Sequence, residues 1–281
     1  MSKKVAYVED KLDYESDIYS IYRKDTPEEI MSKIMHFLKE KHEGSLDIAV
    51  DVGCGSGQST IVLAPTFKTV FGIDGIESQI EEANNNRKSN NIVYKCGPAE
   101  TLPFENNSVQ LITTATSLHW FDMTLFFSEA KRILCNNGVL AVYGYSRIKP
   151  SMSTPALDQK VNQLYDWFYD VLDPYTKPQV KILIHKYNKV EFPFEEVVRV
   201  PDVRCMIKGS LSDIVGYVKT YSMLNICREQ DPGREVDILS EFEKRLYKIG
   251  EEDNITPNEV TNLYIDYVLI LCRKVVAQTV Q

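Results

Sequence analysis

The sequence has 281 residues, enough for one large domain or two ordinary ones. Hydrophobic residues make up 43% and charged residues 26%, which excludes disordered, collagen-like and coiled-coil classes. With 40 acidic residues against 32 basic ones the formal charge is −8, and no long Lys/Arg run appears, so nucleic acid is not an expected partner. No stretch approaches the roughly 20 apolar residues of a membrane span. The N-terminus turns acidic at Glu9-Asp10 before any apolar run develops, so a secretory signal is not expected either. Cysteines at 54, 96, 135, 205, 227 and 272 form no CxxC pair. No metal site is expected from them, and they fit a reducing, cytoplasmic setting.

The first 25 residues are polar and carry Tyr7, Tyr14, Tyr19 and Tyr22, the pattern of a docked arm. Thr26-Pro27-Glu28-Glu29 then reads as a helix start, with Thr26 as N-cap and Pro27 in the first helical position. Ile30, Ile34, Phe37 and Leu38 share one face and predict a core-packed helix over 27–41, with His36 and His42 at its surface. From 46 to 146 strand and helix patterns alternate. Strands are predicted near 47–52, 69–74, 91–96, 108–114 and 139–145, and helices over 59–65, 78–88 and 124–134, with a turn at 136–138. Such alternation implies right-handed βαβ units and a parallel sheet with helices on both faces. Beyond Pro150 the pattern loosens. A helical stripe runs over 155–172, 197–208 looks extended, and helices follow near 211–221 and 234–249. A largely buried strand is expected over 262–272. The division expected is a single domain over 1–281, with an arm (1–26), a core (27–149 plus 190–281) and an inserted cap (150–190).

Asp51-Val52-Gly53-Cys54-Gly55-Ser56-Gly57-Gln58-Ser59-Thr60 is the most informative segment. It joins the first strand to the next predicted helix, where glycines permit a sharp turn and let a ligand touch backbone, and where free N–H groups gather. The second strand ends in Asp74, placed to accept ribose hydroxyls. A dinucleotide fingerprint, GxGxxG, would need glycine at position 58, which is Gln58. The spacing is GxGxG, and Asp51 adds an acid that would repel a pyrophosphate but suit an ammonium group. The combination points to S-adenosylmethionine.

These residues make the chain resemble a class I S-adenosylmethionine-dependent methyltransferase over about 15–146. Three shorter stretches are similar to the trans-aconitate methyltransferase group: Tyr19 to Pro27, Ala99-Glu100-Thr101-Leu102-Pro103-Phe104 with Ser108-Val109, and Ser117-Leu118-His119-Trp120-Phe121-Asp122. The resemblance implies a Rossmann-like sheet, mostly parallel with an antiparallel last strand. It also implies a cofactor site of Tyr19, Arg23, Asp51, Gly53, Gly55, Gly57, Ser59, Asp74, Gly75, Pro98, Ala99, Glu100 and Thr116. Two departures stand out. Pro98 replaces the acid that often reaches the adenine amine, which shifts that task to the Ala99 backbone and Glu100. Lys24-Asp25 stands where the group's arm commonly has proline.

Methyl transfer from a sulfonium needs alignment and exclusion of water more than acid–base work. An ionised carboxylate needs no base, whereas an amine, phenol or alcohol must lose a proton. His119, just after the fourth strand, reads equally as a catalytic group, either positioning donor or base, and as a histidine bonded to backbone at a helix start. Trp120 is expected to wall the pocket, Arg147 to anchor a second carboxylate, and Tyr221 to face substrate. Tyr165, Trp167, Phe168 and Tyr169 suggest packing and an apolar tunnel; His185 receives no role. The leading expectation is carboxyl O-methylation of a small organic or fatty acid. The alternatives are N- or O-methylation of a small amine or hydroxyl, and a non-catalytic S-adenosylmethionine-binding protein.

Overall fold

The computed structural model describes residues 26–86 and 89–275. Close contacts divide these into two compact units. One comprises the residues as far as Lys149, Lys177–Lys208 and those from Asn262; the other comprises Pro150–Thr176 and Gly209–Thr261. The expected cap, 150–190, is thus shared between them.

The first unit is built on a sheet whose inner strands are near-continuous apolar runs, the pattern of a sheet covered on both faces. Its strands are β1 (Ile48–Val52), β2 (Thr69–Asp74), β3 (Ile92–Cys96), β4 (Val109–Ala115), β5 (Leu134–Gly144), β6 (Ile148–Pro150), β7 (Glu196–Gly209) and β8 (Thr261–Arg273). They lie in the order β3-β2-β1-β4-β5-β8-β6, and β7 also pairs with β8. Strands β1 to β5 are parallel to their neighbours, with Asp51 opposite Gly72 on one side and Thr113 on the other. β8 runs antiparallel to β5 and sets Val268 opposite Gly144. This is the Rossmann-like sheet with the antiparallel strand that the sequence implied. The strand order reverses between β1 and β4, and in such sheets the crevice beyond the strand ends at that point receives ligands.

Helix α1 (Glu28–Lys39) packs on β5, and α2 (Glu77–Asn85) on β2 and β3. On one face of the sheet, Val50, Val52, Ile112, Leu140, Val142, Ile270 and Cys272 form a core with Phe126, Ala130 and Ile133 of α3 (Met123–Ile133). Leu118, Leu183 and Tyr187 belong to the same core. Asp122 caps α3, its Oδ1 accepting the Thr124 and Leu125 N–H groups at 3.1 Å.

Two local expectations fail. Thr26 does not cap α1; Pro27 holds that place, and the Thr26 hydroxyl bonds Tyr143 Oη at 2.9 Å instead. A phenol as deeply buried as Tyr143 needs a polar partner, and that need outweighs one cap bond. Residues 59–65 do not extend into an α-helix but form short turns with a 3₁₀ segment at Ile61–Leu63. The Ser59 and Thr60 hydroxyls reach back to Asp51, which tightens the chain before Pro65 ends it.

The second unit is helical: α4 (Pro155–Leu172), α6 (Leu211–Lys219), α7 (Ser222–Gln230) and α8 (Arg234–Glu252). The short α5 (Pro178–Ile184) belongs to the first unit. Thr154 caps α4, and Ser210 and Asp213 form a capping box on α6. Phe168 and Tyr165 pack on Phe242 with ring centroids 4.7 and 5.5 Å apart, while Trp167 lies under Arg245 at 4.2 Å. Among the described residues no helix is long and apolar enough to cross a membrane.

Arg273, at the end of β8, is fully buried and ties the first unit together. Its Nε donates to Glu196 Oε2 at 2.8 Å, its Nη2 to the Phe37 carbonyl at 2.5 Å, and its guanidinium lies 4.0 Å from the Phe37 ring centroid. The Lys41 hydrogen bond, followed by Arg273, holds the Glu196 carboxyl below its ordinary value. Stability from Glu196 is therefore complete above the unfolded pKa and is lost as pH falls through the lower folded value. Arg273→Leu strands the end of α1 without its donor and should cost about 2–3 kcal/mol in urea unfolding. Its stability should also fall less steeply with acid below about pH 4.5 than that of the parent.

Candidate active site

The carboxyl edge of the sheet brings together four loops that are distant in sequence. The loop after β1 carries Gly53, Gly55 and Gly57, all with positive φ. At Gly57 the requirement is close approach, because a Cβ there would lie 2.3 Å from Tyr94 Oη of β3. At Gly55 it is conformational. With φ +52°, a side chain would be strained, although a Cβ would meet nothing nearer than Gln79 Oε1 at 3.4 Å. The backbone at Gly55 is therefore bare in the direction a Cβ would take.

Asp51 organises this loop from beneath. It is 0% exposed. Its Oδ2 accepts from Ser59 Oγ at 2.6 Å and Thr60 Oγ1 at 2.8 Å, and its Oδ1 from Thr113 Oγ1 of β4 at 2.8 Å. Burial raises its pKa, the three hydroxyls oppose the rise, and the charge of Asp74 adds to it. The carboxylate is enclosed by the protein rather than presented at a surface. Ser59 likewise spends its hydroxyl on Asp51.

Asp74 ends β2 and closes the loop from the side. Its Oδ2 accepts the Gly55 N–H at 2.8 Å and its Oδ1 the Ile76 N–H at 2.9 Å. Burial raises its pKa, while the N–H groups of Gly55, Ile76 and Gly75 pull it down. Each carboxylate oxygen retains a second lone pair for a ligand hydroxyl.

After β3 come Pro98, Ala99 and Glu100. Ala99 is buried, and Glu100 Oε1 accepts the Asp122 N–H at 2.9 Å, joining this loop to the start of α3. Arg132 fixes the rest, donating to the Leu102 and Phe104 carbonyls. After β4, Thr116 has φ +57°, a strained conformation for a β-branched residue; its N–H is held by the Tyr143 carbonyl at 2.8 Å. Ser117 Oγ donates to the Gly53 carbonyl at 2.8 Å, so the β1 and β4 loops touch at the switch point.

His119 comes next, 4% exposed, with Nδ1 3.0 Å from Tyr187 Oη. Trp120 is 38% exposed, unusually open for so large a ring, with Lys177 Nζ 6.0 Å from its centroid. Tyr187 went unnoticed in the sequence. It lies 68 residues beyond His119, and no motif or period links the two.

Arg147 is half-buried between β5 and β6. Because Val268 faces Gly144, the residues of β8 before it extend past the end of β5, at this same edge. There Lys149 Nζ lies 3.3 Å from Asp266 and 4.9 Å from the Tyr264 centroid; Arg204 Nε lies 2.7 Å from Asp266, with its guanidinium 4.1 Å over Tyr264. Burial lowers the Lys149 pKa, Asp266 opposes that fall, and the charges of Arg147 and Arg204 add to it.

Tyr19 and Arg23 lie outside the described residues. Tyr221 belongs to the helical unit, where its buried ring stacks on Tyr169 at 6.2 Å and meets Tyr217 edge-on at 5.2 Å. Burial pushes its pKa well up.

Comparison with known proteins fits this geometry. Residues 50–142, the segment bearing these loops, match the methyltransferase domain family. A Dictyostelium discoideum protein named as a methyltransferase is 33% identical over 215 residues, covering 76% of this chain and 77% of its own length. The Saccharomyces cerevisiae protein CRG1, named as an S-adenosylmethionine-dependent methyltransferase, is 28% identical over 180 residues, covering 62% of this chain and 60% of its own. Among solved structures, one named as a type II methyltransferase from Anaeromyxobacter dehalogenans superposes with a TM-score of 0.72 at 24% identity, covering 90% of this chain and 98% of that one. With the glycine loop, the acid after β2 and the strand order already in place, these likenesses show that the chain belongs to the class I S-adenosylmethionine-dependent methyltransferases.

Proposed function

We propose that this enzyme methylates a carboxylate oxygen of a small organic or fatty acid, as its likeness to the trans-aconitate methyltransferase group implies. The observation that carries the acceptor class is the gathering of Arg147, Lys149 and Arg204 at the sheet edge that bears the glycine loop. Cations so placed suit a carboxylate-bearing acceptor, and arginine binds carboxylates through two parallel bonds. We further propose that the two compact units work as a single methyltransferase domain.

The residues fit the cofactor. Bare backbone at Gly55 accommodates close contact, Asp74 keeps lone pairs for two ribose hydroxyls, and Ala99 offers an apolar surface with backbone polar groups for a purine. Gly53, Gly57, Gly75, Pro98, Glu100 and Thr116 shape the same pocket, and Tyr19 and Arg23 are proposed to complete it. Asp51 and Ser59 act indirectly, by fixing the loop. S-adenosylmethionine supplies a methyl group on a sulfonium, whose sulfur keeps the bonding pair and leaves as a neutral thioether when a nucleophile's lone pair takes the carbon. A carboxylate already holds that lone pair, so the protein has no proton to remove. Its work is to hold the acceptor in line and keep water out, the tasks assigned to His119, Trp120 and Arg147. Tyr221 is proposed as a further acceptor determinant.

A second reading has one observation in its favour. A Caenorhabditis elegans phosphoethanolamine N-methyltransferase is 33% identical over 120 residues, but these cover 24% of that protein.

Three measurements test the proposal. Asp74→Ala should weaken cofactor binding in calorimetry by roughly ten- to a hundredfold, the worth of one or two hydrogen bonds to a charged group. Incubation with methyl-labelled cofactor and a panel of carboxylic acids, amines and phenols should give label that mild base releases as methanol, the signature of an ester. Base-stable label would instead indicate an amine or hydroxyl acceptor. Arg147→Ala should raise the acceptor KM by about tenfold, one charge-assisted bond, with unchanged cofactor affinity.

A further inference from the structure

The glycine loop rests on a side chain from outside its own segment. Asp51 of β1, Gly72 of β2 and Tyr94 of β3 are direct neighbours across three parallel strands. Residues paired in this way project from one face of a sheet. Asp51 and Tyr94 therefore flank a position at which β2 carries no side chain, and the Tyr94 ring lies across it. A Cβ at Gly72 would lie 2.5 Å from Tyr94 Cδ1, 2.7 Å from Cε1 and 3.0 Å from Cys54 Sγ. Gly72 keeps ordinary strand backbone, so close approach alone excludes a side chain there.

The ring continues past β2. Neighbouring strands lie about 4.8 Å apart, a span that a tyrosine side chain exceeds. Its far end meets the loop after β1, where a Cβ at Gly57 would lie 2.9 Å from Tyr94 Cζ and closer still to Oη. Tyr94 and Cys54 are both buried. Hydrogen bonds draw the loop down onto this ring. The Gly53 and Cys54 N–H groups donate to the carbonyl of Ile73, beside Gly72, at 2.7 and 3.1 Å, and the Ser59 and Thr60 hydroxyls donate to Asp51. The ring is the stop against which they pull, because a close-packed interior compresses little.

We propose that Tyr94 is a positioning residue for the cofactor. Laid across Gly72, it holds Gly57 off the sheet and so fixes the height of the bare backbone at Gly55. This rests on the reading of that loop as the S-adenosylmethionine site. The role needs no contact between Tyr94 and the cofactor. It also accounts for two glycines at once: Gly72 makes room for the ring, and Gly57 for its hydroxyl end.

The test is a double-mutant cycle between Gly72 and Tyr94 in the full chain. Calorimetry reads the Kd and stoichiometry of S-adenosylmethionine, and circular dichroism checks that each variant is folded. Gly72→Ala drives a methyl into the ring and should raise the Kd about tenfold, within the range of overpacking. Tyr94→Val suits a strand but ends before Cδ, and should raise it by a similar factor. Tyr94→Phe keeps the ring over Gly72 and should stay within about threefold of the parent. With the ring gone, the methyl of Gly72→Ala has lost the atoms it would strike. The double variant Gly72→Ala/Tyr94→Val should therefore bind within about twofold of Tyr94→Val alone. A role in fold stability alone would lower the stoichiometry and leave the Kd in place. Additive losses around the cycle, or an unchanged Kd in folded Gly72→Ala, would overturn the proposal; the second outcome decides even where Tyr94→Val does not fold. Asp74→Ala separates this proposal from the reading beneath it. Weaker binding in Asp74→Ala with unchanged binding in the Gly72 and Tyr94 variants dismisses Tyr94 alone. Unchanged binding in all of them dismisses the loop as the cofactor site, and Tyr94 with it.

Discussion

A carboxylate with no exposure to water is costly unless hydrogen bonds replace its hydration, and the replacement must come from fixed positions. Asp51 meets that condition with three hydroxyls: Ser59 and Thr60 from the glycine loop and Thr113 from β4. The loop after β1 cannot relax without stranding this charge. The pairing of β1 with β4, which creates the switch point, is locked by the same group. The Asp74 bond to Gly55 and the Ser117 bond to the Gly53 carbonyl then secure the loop from the side and from above. A site that binds through bare backbone needs such enforcement, because a glycine-rich segment has more conformational freedom to lose than any other.

The same logic explains what could be read from the chain. Strands β1 to β5 were legible because a sheet buried on both faces writes itself as short apolar runs separated by helical periods. The glycine spacing, Asp74 and the segment after β4 were legible because each belongs to one contiguous stretch. Asp51 was legible as an acid beside a ligand loop, but its partners within the protein were not. Its hydroxyl partners lie eight and nine residues ahead and on another strand, and pairing register alone discloses Thr113. Thr26 misled for a related reason. The local pattern favoured a cap, whereas the buried phenol of Tyr143, 117 residues away, claimed the hydroxyl.

Residues concerned with the acceptor were the least legible. His119 belongs to a motif, but Tyr187 belongs to a turn with no glycine at its two positive-φ positions. Nothing in the 177–194 stretch distinguishes that tyrosine from the chain's other phenols. The cations Lys149 and Arg204 sit on strands that become neighbours only through β8, whose first half overshoots β5. Arg147 could be placed at the sheet edge from sequence, since it comes just after a predicted strand, but its companions could not.

This contrast also accounts for how far likeness to other proteins reaches. The methyltransferase domain match spans 50–142, ending inside β5 and before Arg147. Every loop proposed to hold the cofactor lies within it, apart from the arm that carries Tyr19 and Arg23. Arg147, Lys149 and Arg204, with which the acceptor chemistry is argued, lie outside it. A sulfonium methyl donor imposes the same demands on any enzyme that uses it: a bare backbone, an acid for the ribose and a fixed turn. The acceptor imposes one demand that varies, namely whether a proton must be removed. The imidazole nearest that question is His119, whose Nδ1 lies 3.0 Å from the Tyr187 hydroxyl. The identity of the acceptor is therefore written less in the shared geometry of methyl transfer than in side chains that lie beyond the matched segment.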